Sequence, residues 1–308
     1  MISGFMIVKD VVKQGYPFVE AVASVLPICD EFLISEGYSS DSTFEIVEQL
    51  AKLNRKIKVL RQEWPVSRRY SILAEVTNAL RRKCRFEYMF SIQANEIVHE
   101  DSLGYIRSLS QIFPNVQTFS FPFWHFIQRY KFYEDYRLRF SKNLVGIEAT
   151  GDAWSLGLSK SFVRSEALKS LRHPRRLLRY FGRGIQWTYA DSCANPTSRA
   201  VYLPKPVFRY WSLFPKNYLE KSVTHAKIFN LPEHYQIVES LEGYVDDPGV
   251  FWKIASEQAR KGFGPEYPEE FAVVSKSEHP KLIQDLVSKS DAKGYYVREE
   301  VLDSIRDL

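Results

Sequence analysis

Short apolar runs alternate with helical hydrophobic patterns through the N-terminal third of the chain. The apolar runs predict strands at residues 4–8, 32–34, 57–60 and 88–92. The helical patterns predict helices at 17–26, 42–51 and 67–84, one after each of the first three strands. This alternation is typical of an α/β protein with a mostly parallel sheet and helices on both faces. Ligands of such sheets bind at the carboxyl ends of the strands.

The second strand and the helix after it frame the clearest candidate site. The strand ends in Glu36 and a glycine, and a polar loop with Ser39 and Asp41 leads into the helix. Ser42 stands three residues before Glu45, a spacing that predicts a capping box. An acid can bind ribose or base, while free N–H groups at a helix start favour phosphate. The alternative is an ordinary strand-to-helix turn.

A second polar strand end follows the fourth predicted strand, where the sequence reads Gln93, Ala94, Asn95, Glu96. It lies in the same half of the chain as Glu36, so both strand ends are expected at one edge of the sheet. A helix is predicted at 102–113 and a half-buried strand at 116–126. Residues 124–139 show no clear period, which predicts an irregular segment lining the surface.

The C-terminal part has a helical pattern of its own. Asp247 and Pro248 predict a helix start that Gly262 ends, and two short helices are expected near 282–287 and 301–305. We therefore divide the chain into a main domain, 1–230, and a mainly helical appendage, 231–308. Within the main domain, 1–110 holds both polar strand ends and is the predicted nucleotide-binding half, and 111–230 is the second half. The appendage could shape a ligand cleft or make an oligomer contact.

Charge and composition narrow the class of ligand and the compartment. The 308 residues carry a formal net charge of +5, which suits phosphorylated ligands or an anionic membrane surface and is too small to indicate nucleic acid. The three cysteines are widely spaced, so a reducing, cytoplasmic location is expected. No signal peptide is evident, and no apolar stretch approaches the roughly 20 residues that span a bilayer. Membrane contact would be peripheral, at the inner face.

Several motifs resemble those of family-2 glycosyltransferases of the GT-A fold. DEFLISEGYSSDST is similar to the acid and G-S-x-D-x-T pattern after their second strand, and SGFMIVKD resembles their first strand. FSIQANEIVHED resembles their metal motif Q-A-D-E-x-x-H, with Asn95 in place of the aspartate. RLRFSKN, GDAWSLG, VFRYWSLFPKNYLEKSVTHAKIF and SEHPKLI resemble later family segments. The likeness is ordered over the first hundred residues and then scattered to about residue 282.

This resemblance implies transfer of a sugar, with inversion, from a nucleotide-diphosphate donor such as a UDP- or GDP-sugar to a glycan or lipid-linked acceptor, as in surface polysaccharide synthesis. Such a reaction needs a base for the acceptor and positive charge for the departing diphosphate. By position, the nucleoside would be held by Val8, Glu36, Ser39 and Asp41. Gln93 and Asn95 would face the ribose, the diphosphate or a metal ion.

The asparagine at position 95 changes the expected metal chemistry. In the family, the corresponding aspartate binds Mn²⁺ or Mg²⁺, and such hard cations prefer carboxylate oxygens. Glu96 could replace it, although on a regular strand its side chain points to the opposite face. The outcomes are a weakly held metal, neutralisation of the diphosphate by arginine and lysine, or binding without catalysis. We expect weak metal dependence.

Two aspartates compete for the role of catalytic base. Asp152 lies in the D-A-W segment and Asp191 in YADSCANP, although loop aspartates are commonly turn residues. The basic run 173–183 is expected to bind diphosphate or an anionic acceptor, or to form a solvated helix face. Arg209 stands where the family has a histidine, and with Lys221 it would offset the charge lost at Asn95.

Two further functions are compatible with this sequence. A nucleotidyltransferase could use a similar sheet, but it would require a Gly/Arg/Lys-rich phosphate loop after the first strand, which VKDVVKQGYP matches poorly. A degenerate relative would bind nucleotide sugar or glycan without turnover.

Overall fold

The computed structural model describes residues 1–65, 72–126, 128–149, 153, 155–158, 198–229, 238–262, 271–289 and 294–308. The strands in these ranges are β1 Ile2–Val8, β2 Glu31–Glu36, β3 Ile57–Arg61, β4 Tyr88–Ser91, β5 Glu96–Val98, β6 Thr118–Phe126, β7 Lys131–Lys142, β8 Ile147–Ala149, β9 Leu156–Leu158, β10 Ser198–Ala200, β11 Val207–Tyr210 and β12 Ala272–Val273. The helices are α1 Phe18–Val25, α2 Thr43–Leu53, α3 Ile72–Arg81, α4 Glu100–Ile112, α5 Pro215–Phe229, α6 Pro248–Gly262, α7 Gln284–Ser288 and α8 Glu299–Arg306.

The strands build one large mixed sheet in the order β3-β2-β1-β4-β7-β6-β11-β5, and β8 pairs with β9 beside it. β1 runs parallel to β2 and β4, and β2 runs parallel to β3. β7 is antiparallel to both β4 and β6. Every residue of β2 and all but one of β1 are buried, which explains the short apolar runs at 4–8 and 32–34. The predicted α/β class, a Rossmann-like and mostly parallel sheet flanked by helices, is confirmed.

Residues 124–126 belong to β6 and residues 131–139 to β7, and these strands pair antiparallel, so the prediction of an irregular segment here is wrong. β6 pairs with β7 along its whole length, and the register shifts once, between Phe119 and Ser120. The pattern was missed because Asp135, Arg137 and Arg139 alternate along β7 on one face yet are buried or half-buried. A charged face of a strand does not give the apolar alternation by which a half-buried strand is recognised in sequence.

The C-terminal helices fall where the sequence predicts them, and they pack on the rest of the fold. α6 begins at Pro248 and ends at Gly262, and it packs against α5 through Phe251 and Tyr218. α8 packs against both α1 and α2, and the Asn54 side-chain amide donates to the Ile305 carbonyl at 2.8 Å. The mainly helical C-terminal part therefore shares the main core, while the predicted domain boundaries stay predictions.

Two further properties of the described residues concern the predicted location. None of their helices is both long and apolar enough to cross a membrane. Cys29 and Cys84 are buried free thiols, and Cys193 lies outside the described residues.

Candidate functional site

Two loops at the carboxyl edge of the sheet, those that follow β1 and β2, are joined by side-chain hydrogen bonds. The Asp10 backbone N–H donates to Ser39 Oγ at 2.9 Å, and the Lys13 N–H donates to Asp41 Oδ2 at 2.8 Å. The Ser40 N–H donates to Asp10 Oδ1 at 2.6 Å. Ser39 and Asp41, both predicted to hold the nucleoside, are therefore brought together with the loop after β1.

α2 begins without the capping box predicted for it. Ser42 is exposed and its side chain makes no capping hydrogen bond, whereas Asp41 Oδ1 accepts from the Thr43 N–H at 3.0 Å. Thr43 is buried, and its Oγ1 accepts from the Val11 N–H at 3.1 Å. The prediction for Ser42 and Glu45 is therefore wrong, because Asp41 caps the helix one residue earlier. The Thr43 N–H is thus used within the protein and is not offered to a phosphate.

Glu36 lies fully buried at the end of β2. Its Oε1 accepts from the Ser39 N–H at 2.6 Å, and its Oε2 accepts from Arg61 Nε at 2.9 Å. Burial alone would raise the pKa of this carboxyl, but the bonds from Ser39 and Arg61 outweigh it and hold the pKa below its usual value. Val8 lies beside it, where its carbonyl accepts from the Gly37 N–H at 2.9 Å. Glu36 is therefore a charged anchor for the loop after β2.

Aromatic side chains line this edge of the sheet, which the sequence did not predict. The Arg61 guanidinium lies 4.2 Å from the Tyr38 ring centroid and 3.9 Å from that of Phe44. Tyr38 is half exposed, with a positive φ of 55°. The Trp64 indole lies against Gly37, where a Cβ would be 2.5 Å from Trp64 Nε1. This edge therefore combines ring faces with a buried, ionised acid.

The loop between β4 and β5 is tied to neighbouring segments by two of the predicted site residues. Gln93 Nε2 donates to the Ala153 carbonyl at 3.2 Å. Asn95 is buried, its Nδ2 donates to the Tyr210 carbonyl at 2.8 Å, and its own carbonyl accepts from the Tyr210 N–H at 2.9 Å. Asn95 thus fastens this loop to the end of β11.

Glu96 forms a buried ion pair with arginine. Arg139 donates from Nη2 to Oε1 at 2.6 Å and from Nε to Oε2 at 2.9 Å, the two-pronged geometry of a strong pair. Arg209 Nε lies 3.8 Å from the same Oε1, and the Gln93 N–H donates to Oε2 at 3.0 Å. Burial would raise the pKa of Glu96, but Arg139 and then Arg209 hold it below its usual value. Both carboxylate oxygens are engaged.

Arg137, Arg139 and Arg209 form what we call the arginine cluster, on one face of β7 and β11. Arg209 is opposite Glu96 of β5 and His125 of β6 in the sheet, and its Nη1 lies 3.5 Å from His125 Nδ1. Arg137 pairs with the partly exposed Asp135. Among the described residues, Glu96 pairs with Arg139 and Arg209, and Asp135 pairs with Arg137.

Burial is the main cause of the pKa shifts of the neighbouring groups, and the arginines modify them. Burial lowers the pKa of Arg137 to about 10, an effect that Asp135 opposes and Arg139 and Arg209 reinforce. Burial and then Arg209 hold the pKa of His125 well below its usual range, so this imidazole is neutral near pH 7. Burial raises the pKa of Asp135 despite the presence of Arg137.

Lys221 of α5 adds a buried amino group beside this cluster. Its side chain is almost fully buried, and Nζ donates to the Trp211 carbonyl at 2.8 Å. Nζ also lies 3.6 Å from the Trp211 ring centroid and 4.7 Å from that of Tyr16. Burial, together with the nearby Arg209, holds the pKa of Lys221 well below its usual range. Tyr16 belongs to the loop after β1, so this lysine links the two predicted halves of the site.

The contacts of Glu96 do not fit the predicted role of a metal ligand. A divalent cation needs oxygen lone pairs, and both Glu96 oxygens accept from Arg139. The hydrogen bond from Asn95 to Tyr210 uses Nδ2 and not the oxygen that would bind a metal, so the prediction for Asn95 stays a prediction. In the part of the chain that the structure describes, no three His, Cys, Asp or Glu side chains are grouped to hold a metal ion.

Other predicted residues lie outside the described residues: Asp152, Asp191 and the basic run 173–183. Conversely, the structure shows a cluster that the sequence reading missed, formed by Asp135, Arg137 and Arg139. The available signal was three charged residues at alternate positions, which on a strand share one face.

Comparison with known proteins shows only distant likeness. No family model and no curated protein match the chain. The crystal structure of S. aureus TarS matches with 9% identity and a TM-score of 0.36, over 77% of this chain and 42% of TarS. The structure of its 1–349 fragment matches over 40% of this chain and 34% of the fragment.

The mannosyltransferase PcManGT from Pyrobaculum calidifontis, in complex with GDP-Man and Mn²⁺, matches with 11% identity and a TM-score of 0.35, over 86% of this chain and 88% of that chain. A putative glucose-1-phosphate thymidylyltransferase from Bacillus anthracis matches with 11% identity and a TM-score of 0.33 over 66% of this chain and 87% of that chain. The chain thus spans less than half of TarS, and function is inferred below from its own residues.

Proposed function

We propose that this protein transfers a glycosyl group, with inversion, from a nucleoside-diphosphate sugar to an acceptor hydroxyl in surface glycan or polysaccharide synthesis. The observation that carries the proposal is the arginine cluster with Lys221, next to the polar edge where β1, β2 and β4 end. The order of the family-2 motifs along the chain supports the same reaction. Breaking the bond to the sugar leaves negative charge on the diphosphate, which fixed cations stabilise.

The charges in this part of the protein suit such a leaving group. Arg209 and Arg137 are each 12% exposed at the side chain, so their guanidinium groups can reach a ligand. Two unit charges 4 Å apart attract by about 4 kcal/mol at an effective dielectric constant of 20. Arg139 forms the two-pronged pair with Glu96, and this proposal assigns the diphosphate to Arg209, whose Nε lies 3.8 Å from the same carboxylate.

The edge formed by the ends of β1 and β2 would receive the nucleoside. Val8, Glu36, Ser39 and Asp41 shape it mainly by holding the loops, since their polar atoms are largely committed to one another and to neighbours. Tyr38 adds an exposed ring on which a base could stack. Gln93 and Asn95 would place the loop after β4 against the ribose and diphosphate. Asp152, with Asp191 as the alternative, remains the proposed base.

This geometry argues against a nucleotidyltransferase, but it does not separate the enzyme from a protein that only binds nucleotide sugar. A nucleotidyltransferase would need free backbone N–H groups after β1, but those of Asp10, Val11 and Lys13 donate to Ser39, Thr43 and Asp41, respectively. A protein that binds nucleotide sugar without turnover has the same structural requirements as the enzyme, and only an activity measurement separates the two.

A ligand panel tests the proposal. We expect UDP or GDP and the matching nucleotide sugars to raise the melting temperature, with slow donor hydrolysis as the sign of turnover. Arg209→Gln should weaken nucleotide binding by about tenfold or more, since hydrogen bonds to charged groups contribute about 1.5–3 kcal/mol. Arg55→Gln, at an exposed position in the turn between α2 and β3, is the matched control and should bind normally.

The outcomes separate the candidates. Binding with no hydrolysis and no transfer to any acceptor would favour the non-catalytic binding protein. No response to any nucleotide would contradict both.

A further inference from the structure

The loop after β1 is held against α5 by side chains of one helix face. Positions 217, 220 and 221 are three and four residues apart and therefore share that face. The Asn217 side-chain amide donates from Nδ2 to the Lys13 carbonyl at 2.9 Å. Glu220 Oε2 lies 3.5 Å from Lys13 Nζ, and Lys221 Nζ lies 4.7 Å from the Tyr16 ring centroid. This face of α5 thus supports the loop on which Lys13 and Tyr16 lie.

Asn217 lies where α5 and this loop approach each other most closely. Its side chain is buried, and Gly15 of the loop packs directly on it. Gly15 has a positive φ of 68°, and a Cβ at this position would overlap Asn217 Cγ. The glycine therefore adopts a backbone conformation that other residues disfavour, and its missing side chain leaves the space that the amide occupies.

The same amide also binds the C-terminal segment, residues 294–298. Asn217 Oδ1 accepts from the Tyr295 N–H at 3.1 Å. Gly294, with a positive φ of 90°, lies close enough that a Cβ would be 3.1 Å from this oxygen. Tyr295 Oη donates in turn to Glu20 of α1 at 3.0 Å. Asn217 is therefore a junction between the loop after β1, α5 and the C-terminal segment.

Lys13 carries this junction to the proposed nucleoside edge. Its carbonyl accepts from Asn217, and its own N–H donates to Asp41 Oδ2 at 2.8 Å. Asp41 lies in the loop after β2 and caps α2 through the Thr43 N–H. A displacement of Lys13 would therefore shift both loops to which the proposed function assigns the nucleoside.

We propose that Asn217 is a positioning residue of the nucleotide site. It holds Lys13, and with it the loops after β1 and β2, in the arrangement that binds nucleotide, and it makes the C-terminal segment part of that arrangement. It acts through Lys13 and not by contact with the ligand. The inference rests on the proposed function for the identity of the ligand.

Asn54 provides a control that is matched in chemistry and burial. Asn54 and Asn217 are each 6% exposed. Asn54 Nδ2 donates to the Ile305 carbonyl at 2.8 Å, and its Oδ1 accepts from the Lys56 N–H at 3.0 Å. Asn54 precedes β3, which runs parallel to β2, so it lies at the amino edge of these strands, opposite the proposed nucleoside edge. The two amides thus make equivalent bonds at opposite edges of the sheet.

Calorimetric titration with UDP and GDP, together with urea unfolding, tests the inference on Asn217→Ala and Asn54→Ala in the full chain. Both variants should lower the urea midpoint, because each removes two buried hydrogen bonds. Only Asn217→Ala should raise the dissociation constant, by about tenfold or more, since the released loop holds the binding arrangement for a minor fraction of the time. Asn54→Ala should stay within about threefold of the parent protein. Unchanged affinity in Asn217→Ala, or an equal loss in both variants, would overturn the inference.

A second substitution separates the two hydrogen bonds of Asn217. In Asn217→Asp the carboxylate can still accept from the Tyr295 N–H, but it cannot donate to the Lys13 carbonyl. This variant should bind nucleotide as weakly as Asn217→Ala, and affinity equal to that of the parent protein would overturn the inference. If Asn217→Ala does not fold, the comparison of Asn217→Asp with Asn54→Asp, which loses the bond to Ile305 in the same way, decides.

Failure of this inference differs from failure of the proposed function. Nucleotide binding by the parent protein that is unchanged in the Asn217 variants would reject the positioning role and leave glycosyl transfer intact. Absence of nucleotide binding by the parent protein would reject the proposed function itself.

Discussion

Glu96 illustrates how neighbouring side chains decide the role of a carboxylate. In the sequence it is an acid at a strand end, next to a position where related motifs carry a metal-binding aspartate. In the structure it is enclosed by Arg139 and Arg209, and its charge holds β5, β7 and β11 together. The side chain that looks available in the sequence is therefore an internal counter-ion.

Replacing Glu96 tests that role through stability. Glu96→Gln should lower the free energy of unfolding by about 3–5 kcal/mol, because it leaves Arg139 buried without its counter-charge. Glu48→Gln, at an exposed pair with Lys52, is the control and should change it by less than about 1 kcal/mol. Urea unfolding near pH 7 measures both variants, and equal effects would contradict the buried-pair interpretation.

The pH dependence of the same variant has a definite sign. The folded state holds the pKa of Glu96 below its unfolded value, so the contribution of this group is present above the unfolded pKa. It is lost as pH falls through the lower folded pKa. The difference in stability between the parent protein and Glu96→Gln should therefore narrow on acidification.

At the scale of the elements, the strands β1 to β4 and the helices α1 to α4 follow from hydrophobic pattern alone. The centres of β1 and β2 are recognisable because both faces of these strands are buried, so the side chains there are apolar without alternation. β7 was missed because its inward face carries charges that are neutralised by other strands. Such compensation depends on residues far away in the sequence.

Gly4 offers a test of how tightly β1 is packed. A Cβ at this position would lie 2.4 Å from the Phe32 ring and 2.7 Å from Cys29 Sγ. Gly4→Ala should therefore destabilise the protein by about 1–3 kcal/mol, the usual cost of overpacking a core. Thermal or urea unfolding measures this change.

Gly104, inside α4, provides the matched control. A Cβ there meets nothing within 4 Å, and alanine is the better helix former. Gly104→Ala should stabilise the protein by about 0.5–1 kcal/mol. A loss of stability at both glycines would mean that the contrast in packing is not the cause.

At the scale of the whole molecule, residues of the C-terminal part contact helix α1 of the N-terminal part. Glu20 of α1 is fully buried, and it accepts a bond from Tyr295 Oη at 3.0 Å and pairs with Arg298 Nη2 at 3.3 Å. Burial raises the pKa of Glu20, and Arg298 opposes this shift. The C-terminal part is therefore linked to the nucleotide-binding half by a buried charge.

Replacing Arg298 tests how much the ion pair with Glu20 stabilises the protein. Arg298→Met leaves Glu20 as an uncompensated buried charge, and we expect a loss of about 3–5 kcal/mol in urea unfolding. The deficit should shrink as pH falls, because a protonated Glu20 needs no counter-charge. Arg306→Met, at an exposed pair with Asp303, is the control. The double variant Glu20→Gln/Arg298→Met should recover part of the loss, and a double variant as unstable as Arg298→Met would refute the link.

The amino-acid sequence by itself determined the alternation of strands and helices, the two polar strand ends after β2 and β4, and the C-terminal helices. It did so because burial on one or both faces imposes periodic constraints that are local in the chain. It also identified Arg209 and Lys221 as candidate ligand-binding residues. Their position relative to one another became known only from the fold.

Only the tertiary structure decided what the polar residues do. It paired Glu36 with Arg61 and Glu96 with Arg139, and it set Asp41 rather than Ser42 as the cap of α2. It also brought Arg137, Arg139 and Arg209 together from two strands. The physical reason is that charge and hydrogen bonding are satisfied between residues many positions apart. A polar side chain has no defined role until its partners are in place.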